Sequence, residues 1–553
     1  MLFGGLLLWT FLSLCYPLYD TDFWWHLKTG EWILQEGRIP QVDLYTFTEV
    51  GKPWIDLHWG FQLLITFLYR LGGVDLVSLV KAAVITGAVA VAWQAGGRRL
   101  PVWGKAALWI LPVICISGRG YERPEMLSQL FLACWMWMAT HVDRRPGLIW
   151  FLPMLQVVWV NCHALFVLGL VVGACYAADC VARDVARGRW GLAPPAPKPS
   201  SREIIWAAGL VALACLANPY FEEGALFPLT LYRKFSVEQD FYSKNVGEFH
   251  RPIDFLMMFG WKGVANIYLL SEVGVWCVTA ASFVWLIVHR RRWSVLRLLL
   301  FAGFSQLAWK ATRNTNIFAI VSGFVACENL SEAMIPEGQP AAGGSRLPRT
   351  WGMAALLAGL ILAVVSGLWN EIGEQNKPFA LGEAREWFMH DAAKFAGQPG
   401  FPGRAFVSHN GQAAVYIYHN APERLVFMDG RLEVCSRNTF EVYNWILSLM
   451  ADANPGWQEV FKENKGELPA VLLDNRMSLL QIRGLLMTPG WRLVFSDPVG
   501  AVFLSNEQAD KLALVKVEPS QALADDLREV ERRLSLVRSA LSAPKGRPGG
   551  RGK

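Results

Sequence analysis

Asp20 and Asp22 sit one residue apart at the start of the polar stretch Asp20-Thr21-Asp22-Phe23-Trp24-Trp25-His26-Leu27-Lys28-Thr29-Gly30, directly after the first apolar run. Two carboxylates at that spacing can bind a divalent cation, Mg or Mn, or take the proton of an attacking hydroxyl. The competing reading is a polar turn that leads into an aromatic belt, because Trp collects at membrane interfaces. A second group, Arg119-Gly120-Tyr121-Glu122-Arg123-Pro124-Glu125, holds two guanidiniums and two further acids between apolar runs. Arg grips phosphate oxygens in a fork, which suits a lipid phosphate, while an inert loop would pair its Arg with Glu122 and Glu125. Lys310-Ala311-Thr312-Arg313-Asn314 is a second candidate phosphate clamp. His163, in Asn161-Cys162-His163, and the Asn218-Pro219 turn are weaker signals, since a lone His or an Asn-Pro at a helix end is more often structural. Asp56-Leu57-His58-Trp59 and Asn245-Val246-Gly247-Glu248-Phe249-His250 add further acids and imidazoles.

The elements that must position these groups are membrane helices. Of 553 residues, 53% are hydrophobic and 18% charged, below the roughly 25% of soluble domains. The first 370 residues hold 54 charged residues and 22 of the 26 Trp, the last 183 hold 44 and 4. A membrane part therefore precedes a soluble part. Apolar runs approaching the about 20 residues of a spanning helix occur near 1–17, 75–97, 104–118, 126–141, 148–161, 164–181, 203–217, 266–289, 294–309, 316–330 and 350–369. The run 59–71 is too short and reads as a helix along the membrane surface. With eleven spans and the N-terminus inside, 16 Lys and Arg fall on inner loops, in clusters such as Arg98-Arg99 and Arg144-Arg145. The short outer loops hold only Arg119, Arg123, Lys310 and Arg313, which fixes the orientation by the positive-inside bias. Every chemically unusual segment then lies on the outer face. The formal charge of +6 is spread over short loops, which argues against a nucleic-acid partner, and ten scattered Cys show no metal-site spacing.

These residues resemble the GT-C class of multi-spanning glycosyltransferases, in particular bacterial members that begin Asp-x-Asp-x-Trp-Trp-His-Leu-x-Thr-Gly. The resemblance runs over most of the chain: Asp20 to Gly30, Gly37 to Thr48, Arg119 to Glu125, Asn161 to His163, Asn218-Pro219, Arg313-Asn314 and Val426 to Arg431. It implies a polyprenyl-phosphate-linked sugar as donor, a glycan, lipid or protein acceptor, and inverting transfer on the outer face of the cytoplasmic (inner) membrane. Asp20 or Asp22 would then be base or metal ligand, with Trp25, His26, Arg119, Glu122, Arg123, His163, Lys310, Arg313 and Asn314 around the substrate. One departure is Asp56-Leu57-His58-Trp59, which stands where His-Glu-Trp is common. Two other classes remain open at this stage. A transporter or flippase would use both faces and often internal repeats, of which none is visible, and a non-catalytic scaffold could keep the same fold.

From about 378 to 510 the pattern alternates into a small extracytoplasmic α/β domain. Strands are expected at 405–408, 424–428, 470–473, 491–495 and 501–504, and helices at 381–395, 439–451 and 477–487. Asp429 and Arg431 are its only residues of chemical interest. A charged helix at 525–541 and a basic tail without structure follow.

Overall fold

The computed structural model describes residues 1–553 apart from 191–198, 262–264, 292, 335–346, 374–376, 463–466 and 543–553. The basic tail and the inner-loop positions Lys198, Arg292 and Arg346 lie outside the described residues. The chain divides into two compact units, the first made of Met1–Asp20, Ile33–Ile39 and Ile55–Glu383, the second of Thr21–Trp32, Pro40–Trp54 and Ala384–Lys553.

In the first unit each of the eleven apolar runs forms a helix: Leu2–Ser13, the latter part of Trp59–Ala95, Val102–Ser117, Glu125–His141, Leu152–Val160, Val167–Trp190, Ser201–Ala214, Ile267–Arg290, Val295–Lys310, Thr315–Met334 and Leu347–Val365. Five helical stretches are long and apolar enough to cross a membrane: Trp59–Ala95, Ala164–Val185, Ile267–Arg290, Thr312–Met334 and Leu347–Val365. The other runs form shorter helices. The surface segment and the span after it are one 37-residue helix, broken in its φ/ψ at Gly72 and Gly73. Gly73 has φ +63°, a value that strains any residue with a Cβ. The start of this helix is set by Asn161, whose backbone oxygen accepts the Gly60 N–H at 2.9 Å and whose Oδ1 accepts the Trp59 indole N–H at 2.9 Å.

Thr315–Met334 is buried on nearly every side, packing on Val102–Ser117, Ile267–Arg290 and Val295–Lys310. Trp9, Trp109, Trp135 and Trp159 are fully buried. The Trp excess is therefore partly core, filling wide gaps between helices, rather than chiefly an interface wall.

The second unit is built on a five-stranded sheet with order β2-β1-β3-β5-β4, where β1 is Arg404–Val407, β2 Leu425–Val426, β3 Ala470–Asp474, β4 Trp491–Ser496 and β5 Gly500–Ser505. β1 runs parallel to β2 and β3, and β5 antiparallel to β3 and β4. β3 reads Ala-Val-Leu-Leu-Asp and is buried along its whole length, as a strand covered on both faces requires. All five expected strands are present. The expected helix over 381–395 is instead a short 3-10 turn, Arg385–Trp387, and a helix, His390–Ala396.

The N-terminal loop is part of this unit. Val426 donates to Tyr45 O at 2.9 Å and Phe47 donates to Val426 O at 3.0 Å, which continues the pairing beyond β2. Arg431 is fully buried between Asp43 and Asp429, donating to each at 2.6 Å, with the rings of Tyr45 and Trp54 against its guanidinium. The second unit thus takes in two stretches of the first loop, where the sequence suggested a domain confined to 378–510.

Candidate functional site

The chemistry-bearing groups of the first unit gather where several loops meet at one end of the helices. After Leu2–Ser13 the chain is pinned by Tyr16, whose hydroxyl donates to Gly120 O at 2.5 Å, and by Leu18, whose N–H donates to Gly382 O at 2.9 Å. These contacts deliver Asp20, which is only 4% exposed, to Arg123. The guanidinium holds both carboxylate oxygens, Nε to Oδ2 at 2.5 Å and Nη2 to Oδ1 at 2.9 Å. Its remaining Nη1 donates to Glu248 Oε1 at 2.6 Å, and Arg119 Nη2 reaches the same oxygen at 3.1 Å. Glu248 sits on the 3-10 turn Gly247–Phe249, tied to the turn Thr312–Asn314 by the Thr312 N–H on His250 O at 3.0 Å. That second turn brings the Arg313 guanidinium 5.0 Å over the Phe249 ring.

Three guanidiniums act on Glu248. Burial alone would raise its pKa, but Arg119, Arg123 and Arg313 hold it well below the usual carboxylate range, so it stays ionised. Arg119 Nε, by contrast, is buried without a hydrogen-bond partner among the described residues. Its nearest acid on that side is Glu125, at 3.9 Å. Arg313 makes no ion pair among the described residues. Spare cationic donors therefore lie beside an ion network that is otherwise balanced.

Lys377 supplies another. Its ammonium donates to Gly118 O at 2.8 Å and to the Tyr121 hydroxyl at 3.3 Å, over the rings of Tyr121 and Tyr16. No carboxylate pairs with it among the described residues. Burial, with Lys81 and Arg119 nearby, pushes its pKa down to about 7. It belongs to no motif, and only its place in the fold singles it out.

The other sequence-derived candidates are placed differently. Glu122 is fully buried, held by Lys81 Nζ at 2.9 Å and Ser78 Oγ at 3.0 Å, an internal lock that does not face the Arg groups. The inert-loop pairing of the two Arg holds only for Arg119 with Glu125. His163 Nδ1 bonds Ser128 Oγ at 2.8 Å; burial, His58 and Arg313 keep the imidazole well below its ordinary pKa, hence neutral at pH 7. Lys310 reaches Tyr232 and Ser236, each at 3.3 Å, and Asn314 donates to Leu307 O at 2.9 Å, closing the preceding helix end.

Asp22, Trp25 and His26 belong to the second unit, on the helix Asp22–Glu36, whereas Asp20 belongs to the first. Asp22 is in that helix's first turn, where a negative charge complements the helix dipole. Trp24 and Trp25 are 2% and 4% exposed. Trp24 packs on Phe388, His390 and Tyr418, and Trp25 on His26 and Trp54. The interfacial wall expected from these two Trp is therefore a packed interior. The donor set does not fit a divalent cation: both Asp20 oxygens are held by Arg123, and among the described residues no three His, Cys, Asp or Glu side chains converge.

No protein-family model and no curated protein matches this chain. Solved structures do. The Archaeoglobus fulgidus oligosaccharyltransferase in its apo form aligns with TM-score 0.52 at 11% identity, over 92% of this chain and 74% of that one. The same enzyme tethered to an acceptor peptide containing the NVT sequon aligns with TM-score 0.53 at 11% identity, over 91% and 74%. ArnT from Cupriavidus metallidurans, bound to undecaprenyl phosphate, gives TM-score 0.49 at 12% identity, over 90% and 96%. The fold is GT-C-like, as the resemblance in the sequence implied.

Proposed function

We propose that this protein is a membrane glycosyltransferase that moves a sugar from a polyprenyl-phosphate donor to a glycan, lipid or protein acceptor on the outer face of the cytoplasmic membrane. One observation carries the reading: cationic donors without a hydrogen-bonded carboxylate, on Arg119 Nε, Arg313 and Lys377, gather beside a buried carboxylate, Asp20, that Arg123 orients through two hydrogen bonds. The fold-level likeness to an oligosaccharyltransferase agrees with it.

Breaking the bond between a sugar and a lipid phosphate puts charge on the phosphate. Preset guanidinium and ammonium groups stabilise that charge without reorganising. In this scheme Arg119, Arg313 and Lys377 receive the phosphate oxygens. Glu248 keeps Arg119 and Arg123 together against their mutual repulsion. Asp20 takes the proton of the acceptor hydroxyl as it attacks, and Arg123 fixes its direction. Asp22 is the other carboxylate to test, and Trp25 and His26 support its helix by packing.

The test is transfer of radiolabelled sugar from polyprenyl-phosphate donors to lipid and peptide acceptors by the full chain in nanodiscs. Transfer by the native protein and its loss in Asp20→Asn would support the assignment. Undiminished transfer by Asp20→Asn would remove Asp20 as the base.

A further inference from the structure

The helix Val102–Ser117 carries Arg119 just past its C-terminal end, and Lys105 lies in its first turn. Fourteen residues of helical rise place Lys105 about 21 Å away along the axis, at the opposite end of the bundle from the Asp20 network. Lys105 is only 6% exposed. Its ammonium stands 4.8 Å over the Trp93 ring and makes no hydrogen bond or ion pair among the described residues. A largely buried Lys whose ammonium forms no ion pair is costly, so its retention favours an anion beside it.

Glu328 acts on Lys105 through space, without an ion pair. This acid accepts the Gly97 N–H at 2.6 Å and pairs with no cation among the described residues. Arg98 stands near it, with Arg144 and Arg145 near Arg98, all three exposed and equally without ion pairs among the described residues. Burial and the repulsion of Arg144 and Arg145 lower the pKa of Arg98, and Glu328 only partly offsets them. Lys105 and Arg98 thus share one carboxylate, and Arg144 and Arg145 add positive charge around Arg98. A general excess of basic residues on inner loops accounts for exposed Arg, but not for a buried Lys inside a helix.

We infer that this end of the bundle is a binding site for a phosphate-bearing anion, with Lys105 as its inner donor and Arg98, Arg144 and Arg145 at its rim. An anionic phospholipid headgroup and a soluble phosphate share that chemistry. The site is separate from the proposed transfer reaction and does not depend on it.

The experiment reads the thermal midpoint of the full chain in phosphatidylcholine nanodiscs, with phosphatidylglycerol included or with inorganic phosphate added. The expected result is a rise with one of the two, kept in Lys105→Arg and lost in Lys105→Met and in the double variant Arg144→Gln, Arg145→Gln. A rise with phosphatidylglycerol assigns the site to lipid, and a rise with inorganic phosphate to a soluble ligand. Each variant is compared with its own baseline, so an altered intrinsic stability does not confuse the reading. Should Lys105→Met fail to insert, the exposed double variant decides. The absence of any rise, or a rise unchanged in the variants, overturns the site.

Discussion

Asp20 is the residue on which the proposed chemistry turns. Asp20→Asn keeps the shape but loses the proton acceptor, and kcat for sugar transfer should fall by about 10²–10⁴-fold, measured against native protein in the same nanodiscs. Lys377 gives the site a pH signature. Its pKa of about 7 lies below the ordinary 10.5, so between these values the folded protein has released a proton that the unfolded chain still holds. Stability should therefore rise with pH from about 7 to 10.5, and this rise should flatten in Lys377→Met in thermal melts across that range. Donor binding should run the other way: KM should increase above pH 7 as the ammonium is lost, and stay level in Lys377→Arg, whose guanidinium remains charged. Asp20, Arg119, Arg123 and Arg313 were legible in the sequence because their types and their position against the positive-inside trend are unusual. Glu248 could be noticed as an acid but not linked to them. Lys377 gave no local signal, because what distinguishes it is the lack of a carboxylate, a property of three-dimensional surroundings.

At the scale of elements, apolar periodicity located the eleven apolar helices of the first unit, though not Phe221–Val237, and every strand of the sheet, since each of these buries a long enough face to leave a pattern. The helix Asp22–Glu36 was missed. Its aromatic residues face a protein interior in the second unit, and in the sequence alone that is indistinguishable from a preference for a membrane interface. Close backbone approach is equally silent in a sequence and yields a sharp expectation here. A Cβ on Gly484 would lie 1.7 Å from Met450 O, so Leu479–Met487 and Arg437–Ala451 could not keep their spacing. Gly484→Ala should destabilise the second unit by about 1–3 kcal/mol, seen as faster hydrogen exchange in both helices.

For the whole molecule, the interleaving of chain segments matters more than the domain boundary that composition suggests. Composition changes near residue 370, yet the second unit also comprises Thr21–Trp32 and Pro40–Trp54. A fragment of residues 384–542 should therefore lack a cooperative melt, and the test is circular dichroism on that fragment with and without the two loop stretches fused to it. Asp43→Ala in the full chain leaves Arg431 paired with Asp429 but removes the Asp43 bonds to Arg431 and to Thr46, and should cost about 1–3 kcal/mol, read from the denaturation midpoint of the second unit. The Asp43 to Arg431 bond spans 388 residues. On a ribosome adding about 5–20 residues per second, the first loop is complete for roughly 20–80 s before Arg431 exists. Throughout that interval Asp43 lacks the guanidinium that it holds in the folded protein, so its charge must stay hydrated until the last third of translation.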